Sequence, residues 1–149
     1  MPKPKPKFKK DHVVTSVVAV IINDAGEVLL TRRNIPPFQG DWVMPGGKID
    51  LGEQIVRAIQ REVMEEVGLA VEVRNLLDVF EHVTPGEEHY HFVILYYRCY
   101  PLSNDVVHND MEVAEARWVL PSDLPNYKMP EGTRFILGKL YPELGNFQI

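Results

Sequence analysis

Residues Gly47–Leu69 read GKIDLGEQIVRAIQREVMEEVGL and predict an amphipathic helix that carries a strongly acidic turn. Apolar residues recur at a spacing of four within this stretch, at Ile55, Ile59, Val63 and Val67. This spacing is typical of a helix with one buried face. Gly68 suits the left-handed conformation in which many helices end. We therefore expect a helix from Glu53 to Val67.

The acidic turn brings together Glu62, Glu65 and Glu66, because residues three and four apart are neighbours on a helix. On an exposed surface their repulsion costs only a few tenths of a kcal/mol, which is about what a solvated face tolerates. Inside a cleft each pair would cost roughly 2–3 kcal/mol, and a bound divalent cation would remove that cost. Carboxylate oxygens suit Mg²⁺ or Mn²⁺. The helix alone leaves both readings open, and Glu53 has a structural alternative in a capping box with Asp50 as the N-cap.

The spacing of the glycines and charged residues in this segment resembles the complete box of the Nudix family. The matching positions are Gly47, Glu53, Arg61, Glu62, Val63, Glu65, Glu66, Gly68 and Leu69. WVMPGG before the box and RWV at Arg117–Val119 are also similar to the family, so the resemblance spans most of Val13–Leu120. It implies an α+β fold, namely an α/β/α sandwich with a mixed β-sheet. It also implies hydrolysis of the pyrophosphate linkage in a nucleoside diphosphate joined to another group.

The resemblance further implies a Mg²⁺ or Mn²⁺ site and a set of catalytic residues. The implied metal ligands are the backbone carbonyl of Gly46 and the side chains of Glu62, Glu65 and Glu66. Arg61 is similar to the residue that orients Glu62, and Glu53 to an auxiliary acid near the metal. Relatives often carry the general base in the loop before the last strand. Glu112, six residues before Trp118, is the first candidate for this base and Glu115 the second.

The substrate is suggested by features outside the box. Arg33, the segment PPFQGDW and Pro85 resemble the branch that hydrolyses ADP-ribose and nucleoside diphosphate sugars, which we favour as substrates. The predicted substrate contacts are Arg33, Phe38, Trp42 and Pro85. Alternatively, GGKID with Lys48 resembles the MutT-type branch that hydrolyses (d)NTPs. A non-catalytic nucleotide-binding Nudix module is a more remote alternative, because such modules usually lose box acids that this chain retains.

The rest of the chain predicts strands on both sides of the box helix and a second helix near the end. Val13–Ile22 and Val28–Arg33 are rich in β-branched residues around NDAGE, which predicts a pair of adjacent strands. The remaining predicted elements are a short strand in WVMPGG, strands at Val71–Val83, Tyr90–Tyr100 and Ala116–Leu120, and a helix at Glu131–Leu140.

Length and charge favour one acidic domain with a basic tail. The chain has 149 residues, 45% of them hydrophobic, which suits a single domain over residues 12–149. Five lysines lie in the first ten residues, and we expect residues 1–11 to be disordered. Subtracting these five charges from the net charge of −5 leaves −10 for the body. Nucleic-acid-binding faces are basic, so a nucleic-acid partner is disfavoured.

Hydropathy and cysteine content favour a cytoplasmic protein without a membrane partner. The longest apolar runs, Val17–Ile22 and Phe92–Tyr97, are far shorter than the roughly 20 residues that span a bilayer, and we expect no signal peptide. The lone cysteine, Cys99, is predicted to be a small core residue. His89 and His91 would share one strand face without the further ligands that a zinc site needs. Monomer and homodimer remain alternatives.

Overall fold

The computed structural model describes residues 12–84 and 90–145, so the predictions for the tail, Pro85 and His89 lie outside it. Within these ranges the chain forms seven strands and two α-helices, with 3₁₀ helices at Pro121–Asn126 and Pro142–Leu144. The elements are β1 (Val14–Ile21), β2 (Val28–Arg33), β3 (Trp42–Val43), β4 (Gly46–Lys48), α1 (Ile55–Val67), β5 (Val71–Val83), β6 (His91–Pro101), β7 (Val113–Val119) and α2 (Glu131–Leu140). Neither these helices nor any other in the described ranges has the length and apolarity to cross a membrane.

The strands form two sheets. The larger has the order β4-β1-β6-β5 and the smaller the order β3-β2-β7. β1 and β6 run parallel, with Val14 opposite Phe92 and Ile21 opposite Cys99. β1 pairs antiparallel with β4, and β5 pairs antiparallel with β6. The predicted mixed sheet is therefore confirmed.

The predicted pairing of the first two strands is wrong. β1 and β2 belong to different sheets, and a single bridge between Ile22 and Val28 joins them. Both edges of β1 are occupied by β4 and β6, and both edges of β2 by β3 and β7. The NDAGE turn does form, because Asn23 Oδ1 accepts the backbone N–H groups of Ala25 at 3.1 Å and Glu27 at 2.9 Å. The turn redirects the chain into a second sheet instead of closing a hairpin.

The core lies on both faces of β1. Val17, Ala19 and Ile21 pack in one buried cluster with the apolar side of α1, while Val20 packs in a second cluster with Ile136 of α2. Successive strand residues face opposite sides of a sheet, so β1, which is apolar on both faces from Val17 to Ile21, needs cover on both sides. The two helices supply that cover, which confirms the predicted α/β/α sandwich. Cys99 is fully buried, as expected for a core residue, and burial raises the pKa of its thiol to about 12.

The box helix begins two residues later than predicted and ends as predicted. Its N-cap is Gln54, so the predicted N-cap role of Asp50 is wrong. Asp50 and Glu53 instead close a separate turn, in which Asp50 N–H donates to Glu53 Oε1 at 3.1 Å and Glu53 N–H donates to the Asp50 carbonyl at 3.0 Å. At the other end, Gly68 has φ 67° and takes the left-handed conformation. The helix at Glu131–Leu140 matches its predicted bounds.

The contact between β4 and β1 leaves no room for a side chain at Gly46. A Cβ there would collide with the carbonyl oxygen of Val17 and lie 2.9 Å from the Cα of Val18, both backbone atoms.

We expect Gly46→Ala to lower the free energy of unfolding by about 2 kcal/mol or more, measured by urea denaturation. Gly138→Ala in α2 is the matched control, because a Cβ there meets no described atom within 4 Å. It should raise the stability by about 0.5–1 kcal/mol. Equal stabilities of Gly46→Ala and the parent would contradict this account.

Candidate active site

Three carboxylates, two from α1 and one from the loop before β7, converge beside β4 of the larger sheet. One oxygen each of Glu62, Glu66 and Glu112 lies within 4.8 Å of the other two. Glu62 and Glu66 come from successive turns of α1 and are only 4% and 7% exposed. Buried carboxylates this close together repel strongly. Hard oxygen donors in this arrangement suit a divalent cation such as Mg²⁺ or Mn²⁺.

The two glycines of β4 lie directly against the carboxylates of this acid cluster. Gly46 N–H donates to Glu66 Oε2 at 3.1 Å, and a Cβ on Gly47 would lie 2.5 Å from the carboxyl carbon of Glu62. Glycine at both positions therefore lets the carboxylates of α1 approach the β4 backbone. The chemistry of the donors and this close approach fit a bound divalent ion. The role of the Gly46 carbonyl as a ligand remains a prediction.

Arg61 holds the acids of the box in place. Its Nε and Nη2 donate to the two oxygens of Glu53 at 2.7 and 2.9 Å, and its Nη1 donates to Glu62 Oε1 at 2.9 Å. Nη2 also donates to the carbonyl of Lys48 at 3.2 Å. Bidentate pairs of this kind fix geometry as well as charge. The guanidinium thereby fixes one oxygen of Glu62.

The same contact tunes the acidity of Glu53. The hydrogen bond from Arg61 lowers the pKa of Glu53 to about 2, and the pairing raises the pKa of the guanidinium. A carboxylate with so low a pKa is a weak proton acceptor near neutral pH. Glu53 is therefore suited to orienting Arg61 rather than to accepting a proton.

Glu112 reaches the cluster because its loop is tied to the end of α1. The final carbonyls of a helix lack intrahelical donors, and Asn109 N–H donates to the carbonyl of Glu66 at 2.8 Å. Asn34 N–H in turn donates to the carbonyl of Glu112 at 2.9 Å. The loop is thus anchored on both sides of the site, and these bonds bring Glu112 to the two buried acids.

Two other predicted acids lie outside the cluster. Glu65 is about half exposed and meets Arg61 Nη1 at 3.4 Å. Glu115 lies in β7, where it pairs with Arg117 and, at 3.8 Å, with Arg32. The structure thus brings Glu112 to the box and leaves Glu115 in a surface ion-pair group. The metal role of Glu65 and the base role of Glu112 stay predictions.

An open cavity of about 130 Å³ adjoins the acid cluster. Gly46 and Gly47 border both features. Residues on one face of the larger sheet form its floor, because alternate strand positions point the same way. These residues are Ser16, Val18, Phe80, His82, Phe92, Ile94 and Tyr96. The first turn of α2 and the loop residues Pro37 and Phe38 form the remaining walls.

The mouth of the cavity is aromatic. Phe38 meets the His82 ring edge-on at a centroid distance of 5.8 Å, and His82 stacks on Phe92 at 6.0 Å. Phe38 is 41% exposed and has φ 64°. Flat aromatic walls of this kind suit the π-face of a nucleobase. The geometry therefore places a cavity with aromatic walls beside the acid cluster.

Two of the four predicted substrate contacts line the cavity. Arg33 lines the cavity, and its Nε donates to the Pro37 carbonyl at 2.6 Å. Burial lowers the pKa of its guanidinium, and the negative charges of Glu66 and Glu112 partly oppose this shift. Phe38 also lines the cavity. Trp42 instead packs edge-on against Tyr127 with centroids 5.0 Å apart, because β3 directs it into the core. Pro85 lies outside the described residues.

The cavity residues that sequence reasoning missed include the polar side chains of Ser16, His82, Tyr96 and Thr133. Alternation along each strand marks Ser16 and Tyr96 as members of one face of their own strands. The sequence carries no signal for which strands are neighbours, however, so it does not show that these faces adjoin one another. The contribution of α2 to the same cavity had no sequence signal.

The chain belongs to the NUDIX domain family, whose family model matches residues 12–144. The predicted family is therefore confirmed. A solved structure, the MutT NUDIX hydrolase from Burkholderia pseudomallei, superimposes with a TM-score of 0.79 at 30% identity, covering 87% of this chain and 99% of that one.

Three curated relatives carry different substrate names. The human 8-oxo-dGDP phosphatase NUDT18 is 34% identical over 82% of this chain, which spans 37% of that protein. The nucleoside triphosphatase NudI of Salmonella agona is 28% identical over 82% of this chain and 93% of its own length. The ADP-ribose pyrophosphatase of Methanocaldococcus jannaschii is 38% identical over 46% of this chain and 40% of its own length.

The Arg61–Glu53 pair predicts a pH-dependent contribution to stability. The folded pKa of Glu53 is about 2, whereas an unfolded chain has about 4.3. A lowered folded pKa stabilises the protein above the unfolded value, and this stabilisation is lost as the pH falls towards the folded pKa. In metal-free buffer, we expect the stability difference between the parent and Glu53→Gln to shrink from about pH 5 to about pH 3.

Urea unfolding at each pH measures this difference. In an Arg61→Gln background the pH dependence of the Glu53→Gln effect should disappear, while Arg57→Gln on the same helix is the control that should retain it. A pH-independent difference in the parent would show that Arg61 does not depress the pKa of Glu53.

Proposed function

We propose that this chain is a divalent-metal-dependent hydrolase of pyrophosphate linkages in free nucleotides. The observation that carries the proposal is the convergence of Glu62, Glu66 and Glu112 within 4.8 Å, beside a cavity bordered by the same glycines. The names of the relatives support the same reaction class. A phosphate chain running from the cavity to the acids would place its linkage at the cluster.

The acids and arginines of the site would have different functions in this reaction. Glu62 and Glu66 would hold the divalent ion, and Arg61 keeps Glu62 in the orientation for this task. When bound, such an ion neutralises phosphate oxygens and lowers the pKa of a water molecule. Glu112, the least buried acid of the cluster, would accept the proton of the attacking water. Arg33 adds a positive charge between the cavity and the cluster.

The leading substrates are nucleoside di- and triphosphates. The relatives that match 82% of the chain are named for substrates of this kind. In addition, one of the features that favoured ADP-ribose carries less weight, since Trp42 is partly buried against the core. Arg33 beside the acid cluster suits the high negative charge of a polyphosphate chain.

ADP-ribose or a nucleoside diphosphate sugar is the second candidate. The archaeal ADP-ribose pyrophosphatase shares 38% identity over a segment of 69 residues. Arg33 and Phe38, which carried the preference from sequence, both line the cavity. The cavity is open to solvent, so a group beyond the second phosphate could extend from it.

The first functional prediction is that chelation abolishes hydrolysis and that Mg²⁺ or Mn²⁺ restores it. Glu62→Gln and Glu112→Gln should each lower kcat by about a hundredfold or more, through loss of a cation ligand and of a proton acceptor. Chromatographic measurement of the nucleotide product in steady-state assays quantifies both effects.

Glu115→Gln is the matched control, because Glu115 lies three residues away in a surface ion-pair group. Its kcat should stay within about threefold of the parent. Equal losses for Glu112→Gln and Glu115→Gln would remove Glu112 from the base role. Full activity in the presence of chelator would reject metal dependence.

The second functional prediction concerns the substrate class. Across a panel with Mg²⁺, the best nucleoside di- or triphosphate should exceed ADP-ribose in kcat/KM by about tenfold or more, equivalent to about 1.4 kcal/mol in transition-state binding. Mass spectrometry of the products identifies the linkage that is cut. A higher kcat/KM for ADP-ribose, with release of AMP and ribose 5-phosphate, would promote the second candidate and leave the metal argument intact.

A further inference from the structure

The turn that carries Glu112 is closed by the side chain and carbonyl of Asn109. Asn109 Oδ1 accepts the backbone N–H of Met111 at 3.0 Å. The Asn109 carbonyl accepts the N–H groups of Glu112 and Val113 at 3.2 and 2.9 Å. Asparagine side chains often close turns by bonding to the backbone two residues further on. Residues 109–113 therefore form a compact turn, and Met111 within it is 73% exposed.

Asn34 holds this turn through two hydrogen bonds. Its backbone N–H donates to the carbonyl of Glu112 at 2.9 Å, and its side-chain Nδ2 donates to the carbonyl of Asp110 at 2.8 Å. The two acceptors lie on either side of Met111. One bond alone would leave the turn free to rotate about it, so the side-chain amide of Asn34 supplies the second point of attachment that fixes its orientation.

The pairing of β2 with β7 is irregular next to this turn. Arg32 is opposite Glu115, whereas the next residue, Arg33, is opposite Val113, so β7 has one extra residue at this point. A bulge of this kind disrupts the ladder locally and changes the direction of the strand. The ladder therefore does not by itself fix the position of Glu112, and the bonds beyond the bulge become important for it.

Asn34 also belongs to the loop that forms one wall of the cavity. The loop closes on itself, because Gly40 N–H donates to the carbonyl of Arg33 at 2.9 Å. Phe38 of the same loop lines the cavity. Asn34 therefore connects the wall of the cavity to the turn that carries Glu112.

We propose that Asn34 is a positioning residue, whose side-chain amide aligns Glu112 with a substrate held against the loop of Phe38. The inference rests on the proposed function, because Asn34 would act through the proposed proton acceptor. A proton acceptor must lie within hydrogen-bonding reach of the water that it activates. A small displacement of its turn therefore slows the chemical step and leaves substrate binding nearly unchanged.

Asn34→Asp and Asn34→Ala test this role. A carboxylate of the same size cannot donate to the carbonyl of Asp110, and alanine removes the donor without adding charge. Each variant should lower kcat for the best nucleotide about three- to tenfold, while KM stays within about twofold of the parent. In a Glu112→Gln background neither should lower kcat further, because the group that Asn34 positions is already lost. Steady-state kinetics with Mg²⁺ measure these effects.

Asn104→Asp is the matched control, because it makes the same substitution and adds the same charge in the same loop. The Asn104 side chain is an acceptor for Asn23 Nδ2 at 3.4 Å, and a carboxylate keeps that role. Its kcat and KM should both stay within about twofold of the parent. A change in KM alone in the Asn34 variants, or an equal loss of kcat with and without Glu112, would overturn the inference.

Amide hydrogen exchange gives a second readout that does not require turnover. Without the Asn34 side-chain bond, exchange at residues 110–113 should accelerate about three- to tenfold, whereas Asn104→Asp should leave it unchanged. Urea unfolding verifies that all variants fold. Unchanged exchange in both Asn34 variants would show that the amide does not fix the turn, and it would overturn the inference.

The two proposals fail in different ways. A large loss of kcat in Glu112→Gln with a normal kcat in both Asn34 variants overturns the positioning role and leaves the proposed function in place. If the parent hydrolyses no nucleotide, the proposed function is overturned and the kinetic role of Asn34 with it. The exchange rates then still decide whether the Asn34 amide fixes the turn.

Discussion

The close approach of α1 to the backbone of β4 is the constraint on which the rest of the site depends. Gly46 leaves no room for a Cβ against β1, and Gly47 leaves none against the carboxylate of Glu62. Because neither has a side chain, two acids of α1 face the sheet and not the solvent. Their burial is costly, and the same glycines open onto the cavity, so the site's charge and shape arise from one contact.

Two arginines neutralise part of the acid cluster from opposite sides. Arg61 binds Glu53 and Glu62 through its planar fork, and Arg33 contributes positive charge near Glu66 and Glu112. Each guanidinium is fixed by other bonds as well, to the Lys48 carbonyl for Arg61 and to the Pro37 carbonyl for Arg33. Arg61 therefore orients Glu53 and Glu62, while Arg33 offsets negative charge at Glu66 and Glu112.

β1 connects the two halves of the proposed function. Its odd-numbered residues Val17 and Ala19 pack in the cluster beneath α1, which carries the box acids, while Ser16 and Val18 line the cavity on the other face. One strand thus contributes both to the core beneath α1 and to the cavity beside α2.

The sequence by itself determined the box helix, its left-handed end at Gly68, the second helix and the set of crowded acids, because these depend on spacing within short segments. Only the tertiary structure decided which distant segments meet. It separated β1 from β2, brought Glu112 but not Glu115 to the box, turned Trp42 into the core and gathered the hydroxyls of Ser16, Tyr96 and Thr133 around one cavity. The physical reason is that strand neighbours and loop anchors are chosen by long-range packing and backbone hydrogen bonds, which local periodicity does not encode.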